Sequence, residues 1–144
     1  MNLLAEILDD KGREVLTIDD DASVLEAVHL MVAKNVGSLL VTVGGEISGI
    51  VTERDYLRRV TLEGRSETET RVGEIMSSPL VVATPETTID ECMAVMSDRR
   101  IRHVPVVEEG EVVGIVSIGD LVKFRSKQQS FEIQYLTNYI TTAG

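Results

Sequence analysis

The heptapeptide GIVTERD at residues 49–55 recurs as GIVSIGD at residues 114–120. Each copy reads as the end of a buried strand that leads directly into a helix, with Thr52 or Ser117 at the junction and an aspartate three positions later. A helix start presents backbone N–H groups that lack partners within the helix. Together with the hydroxyl and the carboxylate, they supply the groups needed to hold a phosphate and a ribose.

The same spacing also has a purely structural interpretation. Thr-x-x-Asp and Ser-x-x-Asp are capping-box sequences, in which the side chains bind the first amides of their own helix. A single copy of the pattern would not distinguish a helix-capping function from a ligand-binding function. The recurrence of the pattern in the same local context favours a binding function.

Composition limits the class of protein. With 144 residues, of which 43% are hydrophobic and 26% are charged, the chain is expected to fold as a globular protein. No apolar run approaches the roughly 20 residues of a membrane span, and no secretory signal is recognisable, so a cytoplasmic location is expected. Cys92 is the single cysteine, which excludes an internal disulfide, and its place in an apolar helical stripe predicts a core residue.

The net charge of −10 argues against nucleic-acid binding, which depends on neutralising phosphates. The basic residues nevertheless cluster near the two junctions or near segments expected to face them. A solvated helix surface explains most of them, and a locally positive pocket remains open. They are Arg54, Arg58, Arg59, Arg99, Arg100, Arg102 and Lys123.

Periodicity and turn residues predict an α/β (α+β) fold built from a strand-helix-strand-strand-helix unit. The first predicted elements are a short helix over 2–8, which Lys11-Gly12 ends, and a strand over 14–18. They are followed by a helix that begins after Ser23 and is capped by Gly37, strands over 39–43 and 46–51 joined by Gly44-Gly45, and a helix from Thr52 to about Thr61.

An internal repeat follows from shifting this unit by 65 residues, which matches Val15–Arg58 to the second half without a gap. The expected boundaries are a first repeat over 1–62, a connection over 63–71, a second repeat over 72–127 and a helical tail over 128–144. A repeat too small to bury its own sheet face should pair with its copy. We therefore expect one compact body with pseudo-twofold symmetry.

The last helix is predicted to continue from Asp120 to about Ile140. Phe131, Tyr135 and Tyr139 recur every four residues along it. This aromatic stripe either folds back over the first helix or packs against a second subunit, and the second arrangement is favoured.

Taken as a set, these motifs resemble a tandem CBS-domain pair, the Bateman module. Residues 100–106 (RIRHVPV) look like the family's approach to its second strand, and residues 72–77 (VGEIMS) look like its approach to a repeat. The resemblance covers about residues 3–125 and is greatest to stand-alone two-repeat proteins. It implies two β-α-β-β-α repeats related by a pseudo-twofold axis, each with a small mixed sheet and two helices.

The resemblance also implies a function. CBS pairs are regulatory modules that bind adenosine ligands such as AMP, ADP, ATP, NAD or S-adenosylmethionine in two clefts, usually dimerise, and signal to a partner protein. AMP is the favoured ligand here. Carried over residue by residue, one cleft combines Thr52, Arg54 and Asp55 with Ser77, Val81, Ile101, Arg102 and His103. The other combines Ser117 and Asp120 with Val15, Val36, Gly37 and Ser38.

The clefts are expected to differ in charge. A carboxylate can accept the hydroxyls of a ribose, and the first cleft adds Arg54, Arg102 and His103. The second has Gly37, Ser38 and Gly119 at the matching positions. A phosphorylated ligand should therefore prefer the first cleft, although Arg102 and His103 could serve either. For His103 a structural hydrogen-bonding role remains open.

Other functions have less support in the sequence. It contains no zinc cluster, P-loop, Gly-x-Ser-x-Gly elbow or cysteine near a plausible base. We therefore expect no catalytic activity and no metal site. The alternative is a structural dimerisation or interaction module that binds no ligand, and the regulated partner protein is not identified by the sequence.

Overall fold

The computed structural model describes residues 2–128. The helices are α1 (Leu4–Lys11), α2 (Val24–Lys34), α3 (Glu53–Tyr56), α4 (Val72–Ile75), α5 (Ile89–Arg99) and α6 (Ile118–Gln128). The strands are β1 (Thr17–Asp19), β2 (Ser38–Val43), β3 (Glu46–Thr52), β4 (His103–Glu108) and β5 (Glu111–Ser117). This mixed α/β architecture confirms the predicted fold class.

The chain divides into two compact units. The central unit contains Glu14–Val81, and the terminal unit contains Met1–Arg13 together with the chain from Val82 onward. These units do not follow the sequence repeats, because each short helix that precedes a repeat belongs to the unit of the other repeat. Helix α1 therefore packs with β5 and α6, whereas α4 belongs with β1, β2 and β3.

The central unit is built on a three-stranded mixed sheet in which β1 pairs parallel to β2, and β2 pairs antiparallel to β3. Gly44 and Gly45 form the predicted turn, and both adopt positive φ angles of 59° and 86°. Helix α2, with Ser23 as its predicted N-cap, buries one side on this sheet. The core comprises Val24, Ala27, Met31, Leu39, Val41, Val51, Val60, Val72 and Ile75.

The terminal unit contains the antiparallel pair β4–β5, covered by α1, α5 and α6. Its buried residues are Leu4, Ile7, Leu8, Ile89, Cys92, Met96, Val104, Val106, Val116 and Leu121. Cys92 is 1% exposed, and burial raises the pKa of its thiol to about 11. The predicted core role of Cys92 is therefore confirmed.

The first strand of the second repeat is reduced to a single parallel bridge at Ala83. In the first repeat, the backbone N–H groups of Leu40 and Asp20 extend the β1–β2 ladder. The residues 65 positions later are Pro105 and Pro85, which have no N–H to donate. Two ladder bonds are therefore missing, and only the bonds around Ala83 remain.

Several predicted boundaries are corrected. Gly37 does not cap α2, because the helix already ends at Lys34 and Asn35 takes the left-handed C-cap conformation with φ 54°. Asparagine tolerates this conformation better than most residues. The predicted helix from Thr52 to Thr61 is one α-helical turn, α3, followed by a π-helical segment over Leu57–Thr61.

Two further expectations concern the chain ends. Helix α1 ends at Lys11, and Gly12 follows it with φ 101°, which confirms the predicted stop at Lys11-Gly12. The described helices include none that is both long and apolar enough to cross a membrane. The predicted helical tail over 128–144, including Phe131, Tyr135 and Tyr139, lies outside the described residues beyond its first position.

Candidate functional site

The helix start of the first repeat forms a complete capping box. The Thr52 backbone N–H donates to Asp55 Oδ2 at 3.0 Å, and the Thr52 hydroxyl donates to the same oxygen at 3.2 Å. In return, the Asp55 N–H donates to Thr52 Oγ1 at 3.2 Å. The other carboxylate oxygen, Oδ1, accepts a long hydrogen bond of 3.4 Å from the Ser77 hydroxyl.

Ser77 reaches Asp55 because α4 is only one turn long. After Ile75 the chain becomes extended, and Ser77 exchanges backbone hydrogen bonds of 3.0 and 2.8 Å with Ile50 of β3. Gly49 permits this approach, since an added Cβ would lie 2.9 Å from the Ser77 carbonyl oxygen. A side chain predicted to join Asp55 is thus brought to it by a backbone bridge.

The helix start of the second repeat has the same capping box but a different neighbour. The Ser117 N–H donates to Asp120 Oδ2 at 2.8 Å, and the Asp120 N–H donates to Ser117 Oγ at 3.1 Å. The Lys11 ammonium also donates to Asp120 Oδ2, at 2.7 Å, and to the Ile115 carbonyl at 2.8 Å. An ion pair therefore replaces the weak hydroxyl contact of the first repeat.

Lys11 was not predicted as a site residue. It reaches Asp120 because α1 continues to Lys11 and lies against β5 at Gly114, where an added Cβ would meet a Leu8 methyl group at 2.6 Å. The sequence signals only a basic residue in the last turn of a short helix. Its placement next to a carboxylate 109 positions away depends on tertiary packing.

The electrostatics of this second helix start are set by Lys11. Burial acts to raise the pKa of Asp120, but the hydrogen bonds from Lys11 and Ser117 and the charge of Lys11 outweigh it and lower the pKa. The pKa of His103 is lowered, chiefly by burial, with Lys11 and Arg102 acting in the same direction and Asp120 opposing. At neutral pH, His103 is therefore an uncharged imidazole beside a charged pair.

The starts of β2 and β4 lie beside the helix starts of their own repeats. Ser38 is opposite Thr52 in the ladder, and the Gly37 carbonyl accepts the Glu53 N–H at 3.1 Å. His103 is opposite Ser117 in the same way. These pairings follow from hairpins whose registers are equivalent.

The predicted ligand-binding residues divide unevenly between the central and the terminal unit. The central unit contains Val15, Val36, Gly37, Ser38, Thr52, Arg54, Asp55, Ser77 and Val81. The terminal unit contains Ile101, Arg102, His103, Ser117 and Asp120. The described contacts place His103 with Ser117 and Asp120, whereas the sequence grouped it with Thr52. The predicted grouping across repeats stays a prediction.

The helix-start amides are less available to a ligand than the sequence suggested. The first amide of α6, on Ile118, donates to the Arg102 carbonyl at 2.9 Å, and the third, on Asp120, is used by the capping box. The first and third amides of α3 are used in the same way. These four amides are therefore not available to bind a phosphate.

A small acidic cluster lies apart from the helix starts. Asp19, Asp20 and Asp21 place carboxylate oxygens within 4.8 Å of one another, and no other such group occurs in residues 2–128. The Arg71 guanidinium already donates to Asp21 at 3.1 Å. Exposed acidic turns are common without a metal, so we assign none here.

Comparison with known proteins shows the family. The sequence matches the family model "CBS domain" twice, over residues 6–61 and 72–127. The chain belongs to the CBS-domain family. This confirms the resemblance read from the repeated heptapeptides, including the tandem arrangement of two CBS repeats.

Similar proteins include stand-alone CBS proteins. The chain is 40% identical to the mitochondrial CBS domain-containing protein CBSX3 of Arabidopsis thaliana, over 95% of this chain and 71% of that protein. A solved structure of a CBS-domain protein from Burkholderia ambifaria has a TM-score of 0.85 and 45% identity, covering 89% of this chain and 96% of that one. A hexameric CBS-CP12 protein from bloom-forming cyanobacteria has a TM-score of 0.75 and 34% identity, covering 83% and 70%.

Membership of the CBS-domain family indicates the general function of the chain. The chain is a tandem CBS regulatory module, a class that commonly binds small-molecule ligands and generally takes adenine nucleotides. Stand-alone proteins of this kind are typically regulatory rather than enzymatic. CBS modules can also oligomerise, as the hexameric relative does.

Proposed function

We propose that this CBS pair senses an adenosine-containing ligand, with AMP as the first candidate ahead of ADP, ATP, NAD and S-adenosylmethionine. The observation that carries the proposal is common to both repeats. Each capping box uses only Oδ2 of its aspartate, so that a ribose hydroxyl can donate to Oδ1 of Asp120, or to Oδ1 of Asp55 in place of the long bond from Ser77. Both aspartates are partly exposed at the surface of their units.

In this proposal Asp55 and Asp120 hold the ribose, while the hydroxyls of Thr52 and Ser117 orient the carboxylates. The half-buried apolar residues at the strand starts, such as Val36 and Ile101, provide surface for an adenine ring. The remaining predicted residues, Val15 and Val81 among them, stay candidates for the same contact. We expect no catalytic step.

Signalling requires a partner, and we propose that the module acts as a homodimer that regulates a separate protein. Leu57 and Val122 occupy equivalent positions 65 residues apart and are 54% and 52% exposed. Large apolar side chains left exposed at matching positions suit a symmetric interface. The ligand would act by binding one arrangement of the dimer more tightly than another. A cytoplasmic location stays a prediction, and one relative is named as mitochondrial.

The test is a thermal-shift and calorimetric titration of the full chain with AMP, ADP, ATP, NAD and S-adenosylmethionine. At about 100 times its dissociation constant, a ligand adds about 2.7 kcal/mol to the free energy of unfolding. Asp55→Ala and Asp120→Ala should each abolish one binding event. Asp98→Ala, which removes an exposed carboxylate at the end of α5, is the matched control. The absence of both heat and stabilisation with every ligand would refute the proposal.

The second candidate is a dimerisation module that binds no ligand. It is favoured by the capping boxes, which show that both aspartates already have a structural use. Sedimentation of Leu57→Lys and Val122→Lys would separate the two functions when compared with the titrations. Loss of the dimer without any ligand response in the parent protein supports the structural function.

A further inference from the structure

The Lys11–Asp120 pair lies at the edge of a pocket in the terminal unit. The pocket has a volume of about 170 Å³ and lies between α1 and α6. Lys11, Lys123 and Lys127 line it together with Asp10 and Asp120. Three ammonium groups face two carboxylates, so the pocket carries a net positive charge within a protein whose net charge is −10.

Two of the lysines that line this pocket already form ion pairs. Lys127 pairs with Asp10 at 2.6 Å, and Lys11 pairs with Asp120 at 2.7 Å. The side chains of Lys11 and Asp120 are 38% and 22% exposed, so solvent and a ligand can reach both groups. Since a lysine has a flexible four-carbon stem, its ammonium can change partners without movement of the helix.

Binding of a nucleoside at Asp120 would have different consequences with and without a phosphate. Ribose hydroxyls that hydrogen-bond to Oδ1 of Asp120 compete with Lys11, which donates to Oδ2, for the negative charge of the same carboxylate. An uncharged nucleoside brings no anion to replace the lost ion pair, whereas a nucleoside phosphate brings between one and two negative charges. The lysine would then exchange one anionic partner for another.

We propose that Lys11 is the residue that selects phosphorylated ligands at the second helix start. In the free protein its ammonium neutralises Asp120. When the ribose of a nucleoside phosphate takes Asp120, the ammonium turns to the phosphate, which enters the pocket between α1 and α6. Lys123, which also lines this pocket, provides a second positive charge.

This inference deepens the proposed function and depends on it. It also reverses the preference predicted from the sequence, which assigned phosphorylated ligands to the Asp55 site. Arg102 and the uncharged imidazole of His103 lie beside Ser117 in the terminal unit. Lys11 adds a second cation to the Asp120 site. The Asp55 carboxylate is contacted by hydroxyl groups and a backbone amide.

The experiment compares AMP with adenosine in calorimetric titrations of the parent chain, Lys11→Met and Lys11→Arg. Charge-assisted hydrogen bonds are the stronger class, so Lys11→Met should weaken AMP binding about 10- to 100-fold. Adenosine binding should be unchanged or tighter, since Asp120 no longer has a competitor. Lys11→Arg should retain most of the preference for AMP. Lys34→Met, at the exposed end of α2, is the control and should change neither affinity.

The outcomes distinguish a failure of the inference about Lys11 from a failure of the proposed function. Suppose that the parent chain binds AMP and that Lys11→Met retains the same ratio of AMP affinity to adenosine affinity. Lys11 then does not recognise the phosphate, whereas the proposed function stands. An equal loss for both ligands indicates a structural role for Lys11 and also overturns this inference. If the parent chain binds neither ligand, this inference fails, and the titrations with ADP, ATP, NAD and S-adenosylmethionine then decide the proposed function. A thermal melt of each variant checks that it is folded.

Discussion

The two helix starts differ far less in sequence than in surroundings. Both have a hydroxyl residue followed three positions later by aspartate, and both form the same capping box. Asp55 then receives a 3.4 Å contact from a neutral hydroxyl, while Asp120 receives an ammonium at 2.7 Å. A recurring motif therefore specifies the local geometry, but not the charge that a ligand would meet.

The cause of this difference lies outside the repeated heptapeptide. Helix α4 has four residues and ends before Ser77, which leaves the chain extended along β3. Helix α1 has eight residues and continues to Lys11, whose side chain donates to the Ile115 carbonyl in place of a backbone N–H. The length of a preceding helix thus decides whether a hydroxyl or a cation reaches the aspartate.

The largest expected effect comes from the glycines that allow these approaches. Gly49→Ala would place a Cβ 2.9 Å from the Ser77 backbone carbonyl, which cannot move without breaking the bridge to Ile50. Gly114→Ala would meet the end of the Leu8 side chain, which can rotate. We expect losses in the free energy of unfolding of about 2–3 kcal/mol and about 1–2 kcal/mol, respectively.

Urea denaturation of both glycine variants measures this difference. Gly119→Ala is the control, because its Cβ would have no neighbour closer than 3.6 Å, and it should not be destabilising. Equal losses for Gly49→Ala and Gly114→Ala would contradict the distinction between a fixed backbone neighbour and a mobile side chain.

The next effect concerns the coupling of each aspartate to its neighbour. A double-mutant cycle with Lys11→Met and Asp120→Asn should give a coupling energy of about 0.5–1 kcal/mol, because the ion pair is partly exposed. The corresponding cycle with Ser77→Ala and Asp55→Asn should give less than about 0.5 kcal/mol, given the long contact. Chemical denaturation at low and high salt provides both values, and only the first should decrease with salt. Equal coupling in the two cycles would remove the distinction.

A smaller effect is expected at the ends of α2 and α5. Asn35 and Arg100 both take left-handed C-cap conformations, with φ 54° and 56°. Asn35→Ala should cost about 0.5–1 kcal/mol, since alanine tolerates this conformation poorly. Arg100→Ala exchanges one unfavourable residue for another, so the backbone contribution to its change in stability should be less than about 0.5 kcal/mol, and loss of the side chain's own contacts adds to it. Thermal melts that show the larger loss for Arg100→Ala would argue against backbone conformation as the cause.

The smallest expected effect is a pH dependence confined to the terminal unit. Burial lowers the pKa of His103 in the folded protein, with Lys11 and Arg102 assisting and Asp120 opposing. The unfolded chain therefore binds more protons than the folded one between the folded pKa and the ordinary value near 6.5, so stability should fall as the pH is lowered through this window. His103→Gln should flatten the profile of urea midpoint against pH from 7 to 5. An unchanged slope would show that His103 does not titrate differently on folding.

Asp120 contributes a separate pH dependence of stability, at more acidic pH. Its folded pKa is lowered, so its stabilising contribution is present above the ordinary aspartate value and is lost as the pH falls through the folded pKa. The His103 and Asp120 contributions therefore occupy different pH ranges and can be resolved in one profile.

Much of the fold was predictable because its signals are local or repeated. The hairpin at Gly44-Gly45, the N-cap at Ser23 and the buried stripe of α2 follow from residues within a few positions of one another. The shortening of the first strand of the second repeat was not predicted, although the sequence contains its cause, since Pro85 and Pro105 lack the N–H groups that its ladder needs. The C-cap of α2 was misplaced because Asn35 and Gly37 are both acceptable left-handed residues, and the sequence does not rank them.

The sequence alone determined the capping boxes, because a hydroxyl and a carboxylate three positions apart meet whenever a helix begins between them. It also determined the tandem CBS architecture through the repetition of that pattern. Only the tertiary structure decided that Lys11 neutralises Asp120 and that His103 lies opposite Ser117, close to this ion pair. The physical reason is that these contacts join residues 14 to 109 positions apart, where packing of α1 on β5 and strand register, rather than local periodicity, set which charges meet.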